Sequence, residues 1–530
     1  KNGLDISEPK QWVLSSVPTM FPEHGDKDGL SSGYHRSLLA WYNIDPLFTY
    51  RSSSLTPSHI KTDLEQLSNH YVREVYVSEL YPNRDQSTYN GATSTLPILN
   101  LAYYPTERGP YNFTTTMNAD GTLSNPATKW GGMMRKLDTN DFEAANIEYV
   151  EFWLLDPFIY TRNQADASSY GGDLYINLGE VSEDILRDGK KFYESGMPVD
   201  GTSSFANTQW GKIPVQATQT YAFATTSGSR EKQDVGLNGL TDAEEKEFPE
   251  YMQFNSFVST IANDSVRNAW TADPANDNYQ YFRGSALDER KASILERYKR
   301  INNPQGNSPD SDGNNESYDT SYKTMPDVED INQDYTLNEY ERYYQYRVSI
   351  RPEDLREENV GNNYLADIRE SSVRLRNGNT EVVKWYKFRI PVNAREKEKV
   401  GSISDFTSIR FMRMFLTDFQ KPIVLRFGSL DLVRGEWRVY EQNLSNTASS
   451  NSGTLEVSAV NIEEYNDKQP VNYVLPPGIS RVTDPSQPQL VEANEQALNM
   501  TVKNLSKGEA KAVYKNTTLD LRQYKRLQMF

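Results

Sequence analysis

The feature that most constrains this sequence is a strand that recurs. DFEAANIEYVEFWLLDPF, from Asp141 to Phe158, carries Ile147, Tyr149, Val150, Phe152, Trp153, Leu154 and Leu155 with acids interleaved, and it ends at Asp156-Pro157. β-Branched and aromatic content with a near two-residue rhythm at its start reads as a half-buried strand. The run returns as DFTSIRFMRMFLTDF, Asp405 to Phe419, where Ile409, Phe411, Met412, Met414, Phe415, Leu416 and Asp418 fall on Ile147, Tyr149, Val150, Phe152, Trp153, Leu154 and Asp156. A third copy, DLRQYKRLQMF from Asp520 to Phe530, aligns without a gap on Asp405 to Phe415. The first two copies are each followed by a second strand, Gly171 to Ile185 and Lys421 to Val433, with a glycine at a matched place, Gly179 and Gly428. Such recurrence predicts a tandem array of one β-module. The third copy stops before its second strand, so the chain is expected to be a piece of something longer.

A length of 530 residues allows two to four domains with cores of their own. The formal charge of −17 argues against nucleic-acid binding, which leaves a basic footprint, and is compatible with divalent cations. With no cysteine, a disulfide framework, a thiolate nucleophile and cysteine-ligated zinc are all excluded. No run reaches the roughly 18 to 20 apolar residues of a membrane helix. A mean hydropathy of −0.73 and long polar inserts lead us to expect a soluble piece.

Taken in order, residues 1–218 are expected to form a first jelly-roll-like module, with extended segments at Gln11 to Ser15, Leu38 to Ile44 and Val72 to Leu80 and a strand entering the Pro105–Gly109–Pro110 turn. A short helix is expected over Ile185 to Glu194. Residues 219–326 read as a helical and loop insert, because Leu240 to Met252 and Ala286 to Ile301 have helical patterns and Asn302 to Thr320 is a Pro/Gly/Asn/Ser/Asp run. Residues 327–455 make a second jelly-roll-like module, with strands at Tyr340 to Ile350 and Val382 to Pro391, and 456–530 begin a third. The predicted class is therefore mainly β: tandem jelly-roll or β-sandwich modules with a partly helical insert.

No catalytic set stands out. The four histidines, His24, His35, His59 and His70, lack the spacing that places two ligands on one helix face, and there is no nucleophile elbow, phosphate-binding loop or dinucleotide fingerprint. The chain is read as a non-enzyme.

Two acidic loops have calcium-like spacing. DINQDYTLNEYE places Asp330, Asn332, Asp334, Asn338 and Glu341 at EF-hand positions 1, 3, 5, 9 and 12, with Thr336 at the backbone-carbonyl position. Position 6, ordinarily glycine, is Tyr335, which must adopt an uncomfortable turn. DVGLNGLTDAEE is the weaker candidate: Asp234, Asn238, Asp242 and Glu245 take positions 1, 5, 9 and 12 with Leu240 at the carbonyl position, but position 3 is Gly236. Calcium at either loop would be structural, pinning the insert to the β-modules; the competing reading is ordinary turns and helix caps. Trp130, Trp153, Trp210, Trp385 and Trp437 are candidate sugar-stacking surfaces, with Trp153 and Trp437 better suited to the core.

Several long runs, LLAWYNIDPLF (38–48), NLAYYPTERGPYN (100–112), WGGMMRKL (130–137), EYVEFWLLDPF (148–158), GGDLYINLGEVSEDILRDGKKF (171–192), NNPQGNSP (302–309), MPDVEDINQDYTLNEYE (325–341) and AVYKNTTLDLRQYKRLQMF (512–530), resemble the SprA/Sov family. Its members are giant outer-membrane translocons of the Bacteroidetes type 9 secretion system, also needed for gliding motility. The resemblance spans nearly all of this chain and only part of the family's much longer one. It implies a fragment of a giant outer-membrane β-barrel that conducts folded cargo, and no catalytic residue. The implied partners are the remainder of the translocon barrel, a PorV-type barrel docked at its side, and secreted cargo. The implied place is the outer membrane, with this piece in the extracellular cap and a periplasmic position as the lesser option. A carbohydrate-binding surface protein and a carboxylate-based hydrolase are the alternatives.

Overall fold

A computed structural model of the chain describes residues 3–26, 29–49, 53–84, 94–194, 204–215, 221–226, 228–308, 322–440, 442, 444, 453–468, 472–483, 492–515 and 521–526. In chain order the strands are β1 (Gly3–Asp5), β2 (Val13–Leu14), β3 (Ser37–Tyr42), β4 (Leu99–Arg108), β5 (Trp130–Lys136), β6 (Ile147–Leu155), β7 (Gly172–Glu180), β8 (Phe205–Asn207), β9 (Lys212–Pro214), β10 (Arg342–Ile350), β11 (Leu365–Arg374), β12 (Thr380–Pro391), β13 (Glu398–Val400), β14 (Phe411–Thr417) and β15 (Ile423–Arg434), followed by β16 (Arg438–Tyr440), β17 (Thr454–Asn461), β18 (Gln496–Lys503) and β19 (Ala512–Tyr514), which pair as β16-β19 and β17-β18. One sheet has the order β11-β12-β6-β15-β4-β3, with β1 also on β15; the other has the order β13-β10-β7-β14-β5-β2. Strands β8 and β9 form a separate hairpin.

Eight of these strands make a jelly roll. Taken in sequence, β4, β5, β6, β7, β10, β12, β14 and β15 change sheet at every step except β7 to β10, which pair with each other, so that β12-β6-β15-β4 faces β10-β7-β14-β5. The arrangement has an internal two-fold: exchanging β4 with β10, β5 with β12, β6 with β14 and β7 with β15 maps each sheet's order onto the other. Two Greek keys of this kind form the double-sheet solution to the edge-strand problem.

The expected division into separate modules at 1–218 and 327–455 is thereby corrected. The first copy's strands, β6 and β7, stand in opposite sheets, and so do the second copy's, β14 and β15. Neither copy hydrogen-bonds its own second strand. Instead β6 pairs antiparallel with β15, Phe152 opposite Leu430, and β7 pairs with β14, Ile176 opposite Met414. The repeat is two halves of one sandwich. In the third copy, Leu521–Gln523 form a 3-10 turn and Tyr524 is exposed, in place of the expected strand. A third copy cut short predicts an open sheet edge near Phe530, and that position lies outside the described residues.

The apolar density of β6 follows from its position. Val150, Phe152 and Leu154 point between the sheets, while Trp153 and Leu155 point outward beneath Val75, Val77, Leu80, Val383 and Trp385. A strand covered on both faces loses the polar alternate of a half-solvated one. The other sheet's outer face carries Met134, Tyr343 and Phe411 against Tyr111, Phe113, Trp210 and the insert's Leu237, Tyr251 and Phe254. Phe113 and Tyr251 stack with ring centroids 4.0 Å apart.

Three local expectations are corrected. Ile185 to Glu194 forms no helix, because carboxylates take its amides: Asp184 accepts from Asp188 and Gly189, and Glu329 from Leu186 and Phe192 at 2.7 and 2.8 Å. Val77–Leu80 is a short helix where an extended segment was expected. Ala286 to Ile301 splits into Ser285–Glu289 and Ile294–Arg297, with Lys291 between them at φ 53°.

Candidate metal centre

The Asp330 loop is held by the chain's own donors. Buried Asp330 accepts from the amides of Asp334 (3.0 Å) and Tyr335 (2.8 Å) and from the Tyr221 hydroxyl. Asn332 accepts from the Asp334 amide, and Asp334 accepts from Thr336 and pairs with Arg410 at 2.7 Å. Asn338 donates to the Val181 carbonyl. Glu341, the expected bidentate ligand, instead grips Arg413 of β14 through two bonds of 3.1 and 2.9 Å. Arg413 is fully buried on the outer face of its sheet, beside Tyr343, so this carboxylate neutralises a charge beneath the covering layer. Tyr335 does sit in the left-handed region, at φ 69°.

The Asp234 loop divides. Asp234 turns to residues 306–308, accepting from the amides of Gly306, Asn307 and Ser308 and from the Ser308 hydroxyl. Leu240 spends its carbonyl on the Gly236 amide and its N–H on Asn238 Oδ1. Asp242 and Glu245 go elsewhere. They lie on the helix Asp242–Glu247, whose capping box is closed by Thr241 and Glu244. One turn apart, their carboxylates project toward the loop that follows the helix Asp264–Ala272.

That loop brings ligands the spacing rule did not name. Oxygens of Asp242, Glu245 and Asp273 lie within 4.8 Å of one another, the one such trio of metal-ligating residues among the described residues. Asp277 stands beside this trio, close enough for its charge and those of Asp273 and Glu245 to act on one another. Glu245 accepts from Asn238 Nδ2 (2.8 Å) and the Ala275 amide (2.9 Å). Asp273 accepts from the amides of Asp277 and Asn278 and from Arg300 at 3.0 Å, and Asp242 accepts from the Asn278 side chain. Asp277 is fully buried, and neither of its oxygens has a donor in hydrogen-bonding geometry. The Tyr111 hydroxyl, which accepts from the Leu237 amide, lies beside it and eases its ionisation without meeting that geometry. Burial, and then the neighbouring Asp273, push the Asp277 carboxyl well up; burial, and then Asp277, do the same to Glu245. A Cβ on Gly236 would stand 2.2 Å from Asp277 Oδ2 and 2.5 Å from Asn238 Oδ1, so only glycine leaves these two oxygens their space. The sequence signal for this half of the cluster was the DPANDN run, Asp273 to Asn278, too irregular for any loop template.

The other candidates resolve as structure. Trp130, Trp153, Trp210 and Trp385 are buried, so they offer no face to a sugar, and Trp437 is half-buried. His70 is buried between Glu381 (2.8 Å) and Arg73, and His35 meets Glu23 at 2.9 Å.

A jelly roll with a helical insert and a buried acidic cluster defines a class of β-sandwich protein, not an activity. The family is settled by comparison: the profile of the SprA_N family, described as motility related/secretion protein, matches residues 253–530, and the chain belongs to that family. No curated protein matches it. No helix among the described residues is long and apolar enough to cross a membrane.

Proposed function

We propose that this chain is a non-enzymatic part of the outer-membrane translocon of the type 9 secretion system, lying in its extracellular cap. The observation that carries the reading is membership of a motility and secretion family by a chain whose chemistry-bearing residues serve packing. Glu341, Arg413, His70 and Glu329 all bind protein groups, which suits a rigid wall around a conduit for folded cargo. The remainder of the barrel, a PorV-type barrel and the cargo are its partners in this reading.

The absence of cysteine makes the placement testable. Val382→Cys and Met325→Cys sit at well-exposed positions, 62 % and 53 % accessible. In cells carrying the parent protein, a membrane-impermeant maleimide should label both variants above the unsubstituted background without opening the outer membrane. Labelling only after permeabilisation would move the piece to the periplasm. Loss of cargo secretion on deleting residues 219–308, with the barrel still assembled, is the expected functional readout; normal secretion would remove the conduit role of the insert.

A further inference from the structure

We infer that Asp242, Glu245, Asp273 and Asp277, with Asn238 Oδ1, form a buried site for a hard divalent cation of calcium's class that fastens the helical insert onto itself. The inference is independent of the translocon reading. It rests first on the donor set. Every group is an oxygen, and neither histidine nor cysteine takes part, which suits calcium or magnesium over a transition metal. Oxygens on opposite sides of a calcium ion lie about 5 Å apart, given bonds of roughly 2.4 Å. The 4.8 Å spread of the Asp242, Glu245 and Asp273 oxygens fits one such shell.

The second observation is Asp277. A fully buried carboxylate with no donor in bonding geometry on either oxygen is costly unless something pairs it. The third is charge. Four carboxylates face two guanidiniums: Arg300, which holds Asp273, and Arg108, buried against the rings of Phe254 and Trp270 with centroids at 4.5 Å. The exposed Lys246 beside Asp242 is screened by solvent. Ionised, the buried cluster lacks two positive charges, the charge of one divalent ion. The ion would join the turn at Asn238, the helix Asp242–Glu247 and the Asp273–Asn278 loop, adding an ionic tie to the hydrogen bonds and apolar packing that already link them.

The test is titration of the 530-residue chain, after chelator treatment, with calcium alone and with terbium alone, reading melting temperature and tyrosine-sensitised terbium emission. Tyr111 and Tyr251 lie beside the cluster as sensitisers. Calcium should raise the melting temperature, and calcium should quench terbium emission by competition. Asp277→Asn keeps the shape, removes one ionic ligand and relieves the buried repulsion. It should abolish both responses while melting above the chelated parent, a combination that a purely structural role would not produce. Asp334→Asn, in the other acidic loop, should keep both responses. A parent indifferent to calcium and terbium overturns the site. So does a response that survives Asp277→Asn, or one lost in Asp334→Asn.

Discussion

At the scale of single residues, a group of buried acids serves the structure itself. Glu183, Glu329 and Asp234 spend their carboxylates on backbone amides of distant segments, and Asp184 on those of its own turn. Glu341 neutralises Arg413, and the sign of its removal follows. Glu341→Ala strands a buried guanidinium and should cost about 3–5 kcal/mol by urea denaturation, equally in calcium and in chelator. A loss confined to calcium would return Glu341 to a metal role. Burial drives the carboxyls of Glu183 and Asp188 up to about 7 and that of Asp184 to about 6. Because the folded state then binds protons that the unfolded chain has released, stability should fall as pH rises from about 4 to about 7, and stay low above that. Melting in chelator at pH 5 and pH 7.5 checks the direction, and Asp188→Asn should flatten the slope.

At the scale of elements, the two matched glycines mark close approaches. Gly179 of β7 has φ 151°, and a Cβ there would stand 2.3 Å from the Arg342 carbonyl oxygen of β10. Gly428 sits at the β15–β6 register shift between Phe427 and Ser429, where a Cβ would meet Leu80 Cδ1 at 2.5 Å and Trp385 Cζ3 at 2.9 Å. Side chains can yield and a paired backbone cannot. Gly428→Ala should therefore cost about 1–3 kcal/mol, as overpacking does, and Gly179→Ala more. Denaturant melts in which Gly428→Ala costs more than Gly179→Ala would show that the side chains around Gly428 cannot yield.

At the scale of the whole molecule, the jelly roll is assembled from both halves of the chain. Every central ladder, β6 with β15 and β7 with β14, joins residues before the insert to residues after it. Residues 1–218 alone would leave β6 and β7 without those partners and should show no cooperative unfolding by near-ultraviolet dichroism. Fragments 1–308 and 322–530, produced together, should copurify as one folded complex. A stable, cooperatively melting 1–218 would restore the picture of independent modules.

Local pattern was enough to find the elements with strong periodicity. The runs at β4, β6, β7, β10, β12, β14 and β15, the repeat, the matched glycines and the β-sandwich class were all legible, because strand pairing in a covered sheet demands apolar, β-branched and aromatic residues wherever it occurs. Spacing also drew attention to Asp242 and Glu245, which helix geometry places one turn apart. It could not show that Asp234 would turn to Ser308, that Asp273 and Asp277 would arrive from about thirty residues on, or that Glu341 would meet Arg413 across 72 positions. Strand β11, with polar residues along much of its length, and the helix Asp264–Ala272 carried too little pattern to be found. Which repeat pairs with which, and which carboxylate faces which cation, are properties of contacts between segments far apart in the chain. Only the folded packing, in which β6 and β7 leave for opposite sheets, decides them.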